Sequence, residues 1–259
     1  MKIPIYQVDA FTGKLFGGNP AAVCPLERWI PDDLMQNIAA ENNLSETAFF
    51  IRRDEHFEIR WFTPVAEINL AGHPTLATGH VLFNHLGFEG NRIVFMSKGG
   101  ELIVTRTGTM ISLNFPADKP RPIEMPDNLV EALGKEPAEI LTSRDIFAVY
   151  KSPDDIINLK PNFDLLGKID AHAVIVTAPG TDCDFLSRFF APRLGINEDP
   201  VTGSAHTALI PFWAERLGKR VMHAHQESKR RGEIFCEFLG NRVLISGQAV
   251  TFFIGEITF

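Results

Sequence analysis

The chain matches itself. RWFTP begins at Arg60 and RFFAP at Arg188, 128 residues on, and each leads within 15 residues to a glycine, Gly72 or Gly203, that opens an apolar helical pattern. Further along, GELIVTRTGTMISL from Gly100 lines up with GEIFCEFLGNRVLI from Gly232, and the turn glycines Gly108 and Gly240 fall at an offset of 132. Two matches in the same order, at nearly the same offset and about half of the 259 residues, are the mark of a duplicated unit. Two unrelated strand-rich halves are the alternative. Duplication obliges each half to build the same architecture from different side chains.

The runs IPIYQVDAF, TAFFIRR, FEIRWF, RIVFMS, ELIVTRT and MISLNF, each ended by Gly, Pro, Asn or charge, read as strands. Helical patterns cover 31–41, 73–86, 127–133 and 204–217. In 73–86 the residues Leu76, Ala77, Val81, Leu82, Phe83 and Leu86 surround nearly the whole helical circumference, which predicts a helix buried on all sides. The aromatic content, 21 Phe against 2 Tyr and 3 Trp, suits dry interiors because phenyl rings carry no polar tip. Pro116, Pro120, Pro122 and Pro126 make a stiff stretch that continues neither helix nor central strand, so the boundary is placed there: a first half over 1–118 and a second over 119–259, with the last strand free to pack back onto the first. Each half is expected to wrap a strand-rich layer around one apolar helix, in an α+β fold, with the two repeat-related helix starts facing a shared cleft.

Charge narrows the partner. The chain carries 25 Lys and Arg against 32 Asp and Glu, a net charge of −7, with no crowded basic face, so a small molecule is expected and not nucleic acid. Cys24, Cys183 and Cys236 lie far apart, which suggests neither a disulfide framework nor a thiolate metal site. The start, MKIPIYQVDAF, lacks a signal-like apolar run, and nowhere do about 18 apolar residues follow one another, so a cytoplasmic protein without a membrane partner is expected.

Helix N-termini present unpaired N–H groups and partial positive charge, so two of them at one cleft would hold an anion such as a carboxylate. In AGHPT, Gly72 permits close approach, His73 lies at the cap and Pro74 suits the first helical position; the second start reads EDPVTGSAH. Ordinary helix starts use the same residue types. Glu46, in SETAFF, stands directly before an apolar strand, where a carboxyl holds its proton more tightly, although a solvated edge glutamate reads the same way. His223 and His225 share a strand face, yet no acidic or cysteine partner stands nearby in sequence, so no metal is expected. His80 and His85 lack the spacing of four used by helical zinc motifs.

Together DAFT…FGGNPAAV, SETAFF, RWFTPVAEINLAGHPTLATGH and RFFAPRLGINEDPVTGSAHTALIPFW resemble the phenazine-biosynthesis PhzF-like isomerases, in order and over essentially the whole chain. The resemblance implies the diaminopimelate epimerase-like fold: two pseudo-symmetric halves, each a barrel-like, mostly antiparallel sheet wrapped around a central helix, with the active site between them. It implies that Glu46 is the general acid/base, that His73 and Asp199 position substrate and relay protons, and that Ser204, Asn19 and the amides at Gly72 and Gly203 bind substrate. A homodimer is implied too. Where many relatives read Cys-Gly-His-Ala, this chain has Ala71-Gly72-His73-Pro74, which alters the pocket.

Epimerases of that fold use one thiol at each helix start, and neither start here holds a cysteine. A single carboxylate can instead move a proton between carbons on one face, a cofactor-free isomerisation of a small carboxylic or amino acid. The rival readings are a binding protein without turnover, and a hydrolase or lyase that uses Glu46 on water or a leaving group.

Overall fold

β-Branched and aromatic runs become strands throughout the computed structural model, which describes residues 2–259. The chain divides into two units, Met1–Asn114 with Ser246–Phe259, and Phe115–Ile245. In the first, the order is β1 (Lys2–Ala10), β2 (Asn19–Leu26), α1 (Asp32–Asn42), β3 (Glu46–Arg52), β4 (Phe57–Phe62), β5 (Glu67–Ile68), α2 (His73–Asn84), β6 (Arg92–Ser97), β7 (Gly100–Thr107) and β8 (Met110–Pro116). Strand β2 runs antiparallel to β1 and parallel to β3; β3 and β4 are antiparallel; β4 pairs antiparallel with β5 and parallel with β6; β6, β7 and β8 form a meander.

The second unit begins with β9 (Arg121–Pro122), α3 (Leu129–Leu133), β10 (Glu139–Thr142), β11 (Ile146–Val149), α4 (Pro153–Ile157) and α5 (Phe163–Leu166). It continues with β12 (Val174–Pro179), β13 (Phe185–Ala191), β14 (Ile196–Asp199), α6 (His206–Leu217), β15 (Val221–Gln226), β16 (Gly232–Phe238) and β17 (Arg242–Gly247). Its pairings repeat those of the first unit step for step: β11 parallel to β12, β12 antiparallel to β13, β13 antiparallel to β14 and parallel to β15, β15 antiparallel to β16. The final strand, β18 (Ala249–Thr258), lies antiparallel to β1, with Lys2 opposite Thr258. The fold is sheet-dominated α+β, and among the described residues no helix is long and apolar enough to cross a membrane.

Charge chemistry is duplicated along with topology. Arg60 grips Glu67 through two bonds of 2.7 and 2.8 Å, and Arg188 grips Glu198 through two of 2.7 and 3.1 Å. Each guanidinium lies over the ring two residues further on, Phe62 at 5.2 Å or Phe190 at 4.9 Å. Both forks are largely shielded from water, where a bidentate arginine–carboxylate pair is most directional, and each braces the hairpin that leads into its unit's apolar helix.

Helix α2 is buried from His73 to Gly79 and again from Val81 to Phe83. Leu86 departs from the expected pattern: the helix stops at Asn84, the chain turns at Gly87 with φ 65°, and Leu86 is left exposed. Helix α6 carries Pro211 in its interior, which has no N–H to offer the Thr207 carbonyl. That carbonyl is instead met by the Asp118 N–H at 3.0 Å, so a residue of the proline-rich stretch repairs the helix ladder. Residue 204 lies outside α6, in a turn that reaches the helix through Ala205.

Candidate active site

The DAFT…FGGNP segment is a tight loop built to deliver Asn19. Buried Asp9 accepts the Phe16 N–H at 2.9 Å, and Thr12 closes a short turn with Lys14 through bonds of 3.1 Å. Phe11 and Phe16 adopt φ of 61° and 69°, costly for bulky residues and sustained here by full burial of Phe11 and by the Phe16 N–H bond to Asp9. Gly18, at φ 59°, closes the loop. Asn19 is then the first residue of β2, as Glu46 is of β3 and His73 of α2, so three element starts meet.

Glu46 Oε2 and His73 Nε2, both buried, face each other at 3.0 Å without the alignment of a regular hydrogen bond. On the other side of the ring, Asn19 Nδ2 lies 3.3 Å from His73 Nδ1, and the Ser45 hydroxyl donates to Asn19 Oδ1 at 3.3 Å. Burial pushes the His73 pKa down to about 3, against the opposing pull of a hydrogen bond to the Pro20 carbonyl. His73 is therefore neutral at pH 7, and its contact with Glu46 is that of an uncharged imidazole with a carboxyl. Gly72 caps α2, Pro74 follows at the first turn, and the Thr75 hydroxyl donates back to the Ala71 carbonyl at 2.5 Å.

In the second unit, Asp199 ends β14 and accepts a short hydrogen bond from the Thr202 hydroxyl. Gln226, fully buried, clasps this turn: its Nε2 donates to the Asp199 carbonyl at 2.9 Å and to Thr202 Oγ1 at 3.1 Å, while its Oε1 accepts the Thr202 N–H at 2.8 Å. Gly203 and Ser204 follow in the turn before α6. His206 Nδ1 lies 2.9 Å from the Thr202 carbonyl, which only accepts, so Nδ1 carries the ring hydrogen. Ser204 Oγ accepts from Arg144 at 3.1 Å; the same guanidinium reaches buried Asp145, which also holds His172 at 2.7 Å. Arg144 further lines a cavity of about 420 Å³ together with Thr142, Asn128 and Lys168.

Thus the structure brings Asn19, Glu46 and His73 together in the first unit, and Asp199, Gly203 and Ser204 at one turn of the second. Sequence reading missed Ser45, Arg144, Thr202 and Gln226, whose roles come from hydrogen bonds between residues with no periodic spacing. Arg144 sets a guanidinium beside Ser204 at the second helix start. No cysteine occupies either helix start; Cys24 and Cys236 are buried, and burial pushes all three thiol pKa values up, that of Cys183 to about 11.

His73 and His206 make stability depend on pH. Burial lowers their pKa values to about 3 and about 4, below the 6.5 of the unfolded chain, so the unfolded state binds more protons across that interval. Their contribution is complete above about pH 6.5 and is lost as pH falls, by about 2 kcal/mol each at pH 5. Urea midpoints should fall markedly from pH 7 to pH 5, before most carboxylates titrate. Equal midpoints would contradict neutral burial.

The family model described as a phenazine biosynthesis-like protein, PhzC-PhzF, matches residues 8–255. The chain is 47% identical, over 99% of both chains, to a protein of Pseudomonas aeruginosa named an uncharacterized isomerase. A crystal structure of a PhzF-family phenazine biosynthesis protein from Enterococcus faecalis superposes with a TM-score of 0.98 at 46% identity, covering all of both chains. A hydroxyproline epimerase from Agrobacterium vitis shares the fold at a TM-score of 0.62 and 10% identity, over 99% of this chain and 92% of that one.

Proposed function

The chain belongs to the phenazine biosynthesis-like PhzC-PhzF family, and from that premise we propose an isomerase that shifts a proton between carbons of a small carboxylic or amino acid, with Glu46 as general acid/base. The observation that carries this reading is the buried contact of Glu46 with a neutral imidazole. A carboxylate in that setting can take a proton from one carbon and return it to another, and His73 orients it without competing as a base. Asp199, beside Thr202, relays protons; Asn19, Gly72, Gly203 and Ser204 bind the substrate, and Arg144 beside Ser204 favours a carboxylate. The chemistry calls for no cofactor. The absence of cysteine from Ala71-Gly72-His73 and Gly203-Ser204 weighs against a two-thiol epimerase.

The test is a screen of small carboxylic and amino acids with purified protein, read by mass and by deuterium uptake. An isomerase gives product of unchanged mass in ordinary water; in deuterated water the new C–H position carries less than full deuterium, because a shielded carboxyl returns the proton it removed. A product lighter than the substrate by a leaving group, or two products whose masses sum to that of the substrate plus one water, would establish the lyase or the hydrolase instead. We also propose a homodimer, supported by the exposed apolar residues Phe16, Phe252, Phe253 and Ile254. Light scattering should give about twice 28.9 kDa, and a monomer at micromolar concentration would dismiss the pairing.

A further inference from the structure

His223 and His225, without an acidic partner nearby in sequence, acquire one through strand register. On β15, His223 and His225 project from one face, their rings edge-to-face at 4.8 Å. The β15–β16 pairing sets Glu233 directly opposite His225 and Phe235 opposite His223. Glu233 Oε1 lies 2.8 Å from His223 Nε2, and the His223 ring stacks on Phe235 at 4.8 Å, which fixes its plane. One ligand atom from each of His223, His225 and Glu233 lies within 4.8 Å of the others. A tetrahedral ion with bonds of about 2.0–2.1 Å needs neighbouring donors roughly 3.4 Å apart, a spacing these side chains reach by small rotations.

We propose that His223, His225 and Glu233 bind a divalent transition-metal ion of the zinc type, with Asp182 supporting His225 from behind. Two imidazoles and a carboxylate suit zinc, copper or nickel and are a poor set for magnesium or calcium, which prefer oxygen cages. The surroundings are acidic: Asp182, Asp184, Glu227 and Glu233 outweigh Lys219 and Arg231, the cations they contact. The site also explains a guanidinium. Arg231 Nη2 stands 2.6 Å from His225 Nδ1 and 3.4 Å from Asp182 Oδ2, a cation bridging two would-be partners. With Arg231 on Nδ1, the ring hydrogen of neutral His225 sits on Nε2. When a metal arrives, Arg231 withdraws to Glu227, already 3.1 Å away, and the ring hydrogen moves to Nδ1. Asp182 Oδ1, 3.8 Å distant, then accepts it, completing the carboxylate–histidine–metal arrangement that holds a ligand ring in place. Arg231 thus competes with the ion.

That competition gives a test independent of turnover. Untagged protein is dialysed against ZnCl₂, and bound metal is counted while circular dichroism follows the fold. One equivalent of zinc is expected, raising the thermal midpoint and not displaced by excess Mg²⁺. His223→Ala and Glu233→Gln should each weaken binding by roughly tenfold or more, and Asp182→Asn by a smaller factor. Arg231→Gln should tighten it severalfold, an effect that a merely structural arginine would not have. No zinc uptake, uptake unchanged in the His223 and Glu233 variants, equal displacement by Mg²⁺, or weaker binding in the Arg231 variant would each overturn the proposal.

Discussion

Glu46→Gln is expected to lower turnover by about 10² to 10⁴ while the urea midpoint changes little. The amide keeps the size and planarity of the carboxyl, and the main chain at this position is held by the parallel register that sets Ala21 beside Glu46, so the start of β3 stays in place. His73 tolerates the change because it is neutral: an amide can face an uncharged imidazole at 3.0 Å as a carboxyl does. What disappears is the ability to accept and return a proton. Neither His73 nor a thiol replaces it, since burial leaves His73 a far weaker base than an ordinary histidine and the three thiols stay protonated at neutral pH. Activity of the variant within about tenfold of the parent would remove Glu46 from the mechanism, whereas loss of activity together with a large fall in stability would mark it as structural.

Local pattern and repeat carried much of the fold in the sequence, and the parts that escaped did so for identifiable reasons. Strand runs and the two apolar helices are short-range signals, and RWFTP and RFFAP disclosed the duplication because both strands keep an arginine over an aromatic ring. The glutamates that complete those forks were invisible. Arg60 and Glu67 are seven residues apart and Arg188 and Glu198 ten, because a short 3₁₀ turn at Pro192–Leu194 lengthens the second hairpin. The offset accordingly drifts from 128 at the arginines to 131 at the glutamates and helix glycines. The metal-ligand cluster shows the same limit more sharply: Glu233 reaches His223 only through the register of a hairpin, and no spacing rule along the chain anticipates that. Glu46, His73 and Asn19 were singled out by motif, while the physical reason for their meeting, three element starts converging behind a strained loop, needed coordinates.

That loop gives the second large effect. Gly18→Ala should destabilise the protein by about 3 kcal/mol or more and also depress activity, although residue 18 touches no substrate in the proposed mechanism. At φ 59° any side chain costs about 1 kcal/mol or somewhat more. The larger penalty is contact: an added Cβ would lie 2.0 Å from the Ala10 carbonyl oxygen and 2.8 Å from Thr12 Cγ2. Ala10 cannot yield, because β1 is paired on both sides and Ala10 stands opposite both Asn19 and Ala249. The strain must therefore pass to the next residues, Asn19 and Pro20, which hold the His73 ring. Gly87→Ala supplies the control, with φ 65° and nothing within 4 Å of the added carbon, so it should cost only the backbone term. The difference between the two urea midpoints isolates the clash. Equal midpoints would show that the loop relaxes freely, and the placement of Asn19 against His73 would then owe nothing to the close approach of Gly18.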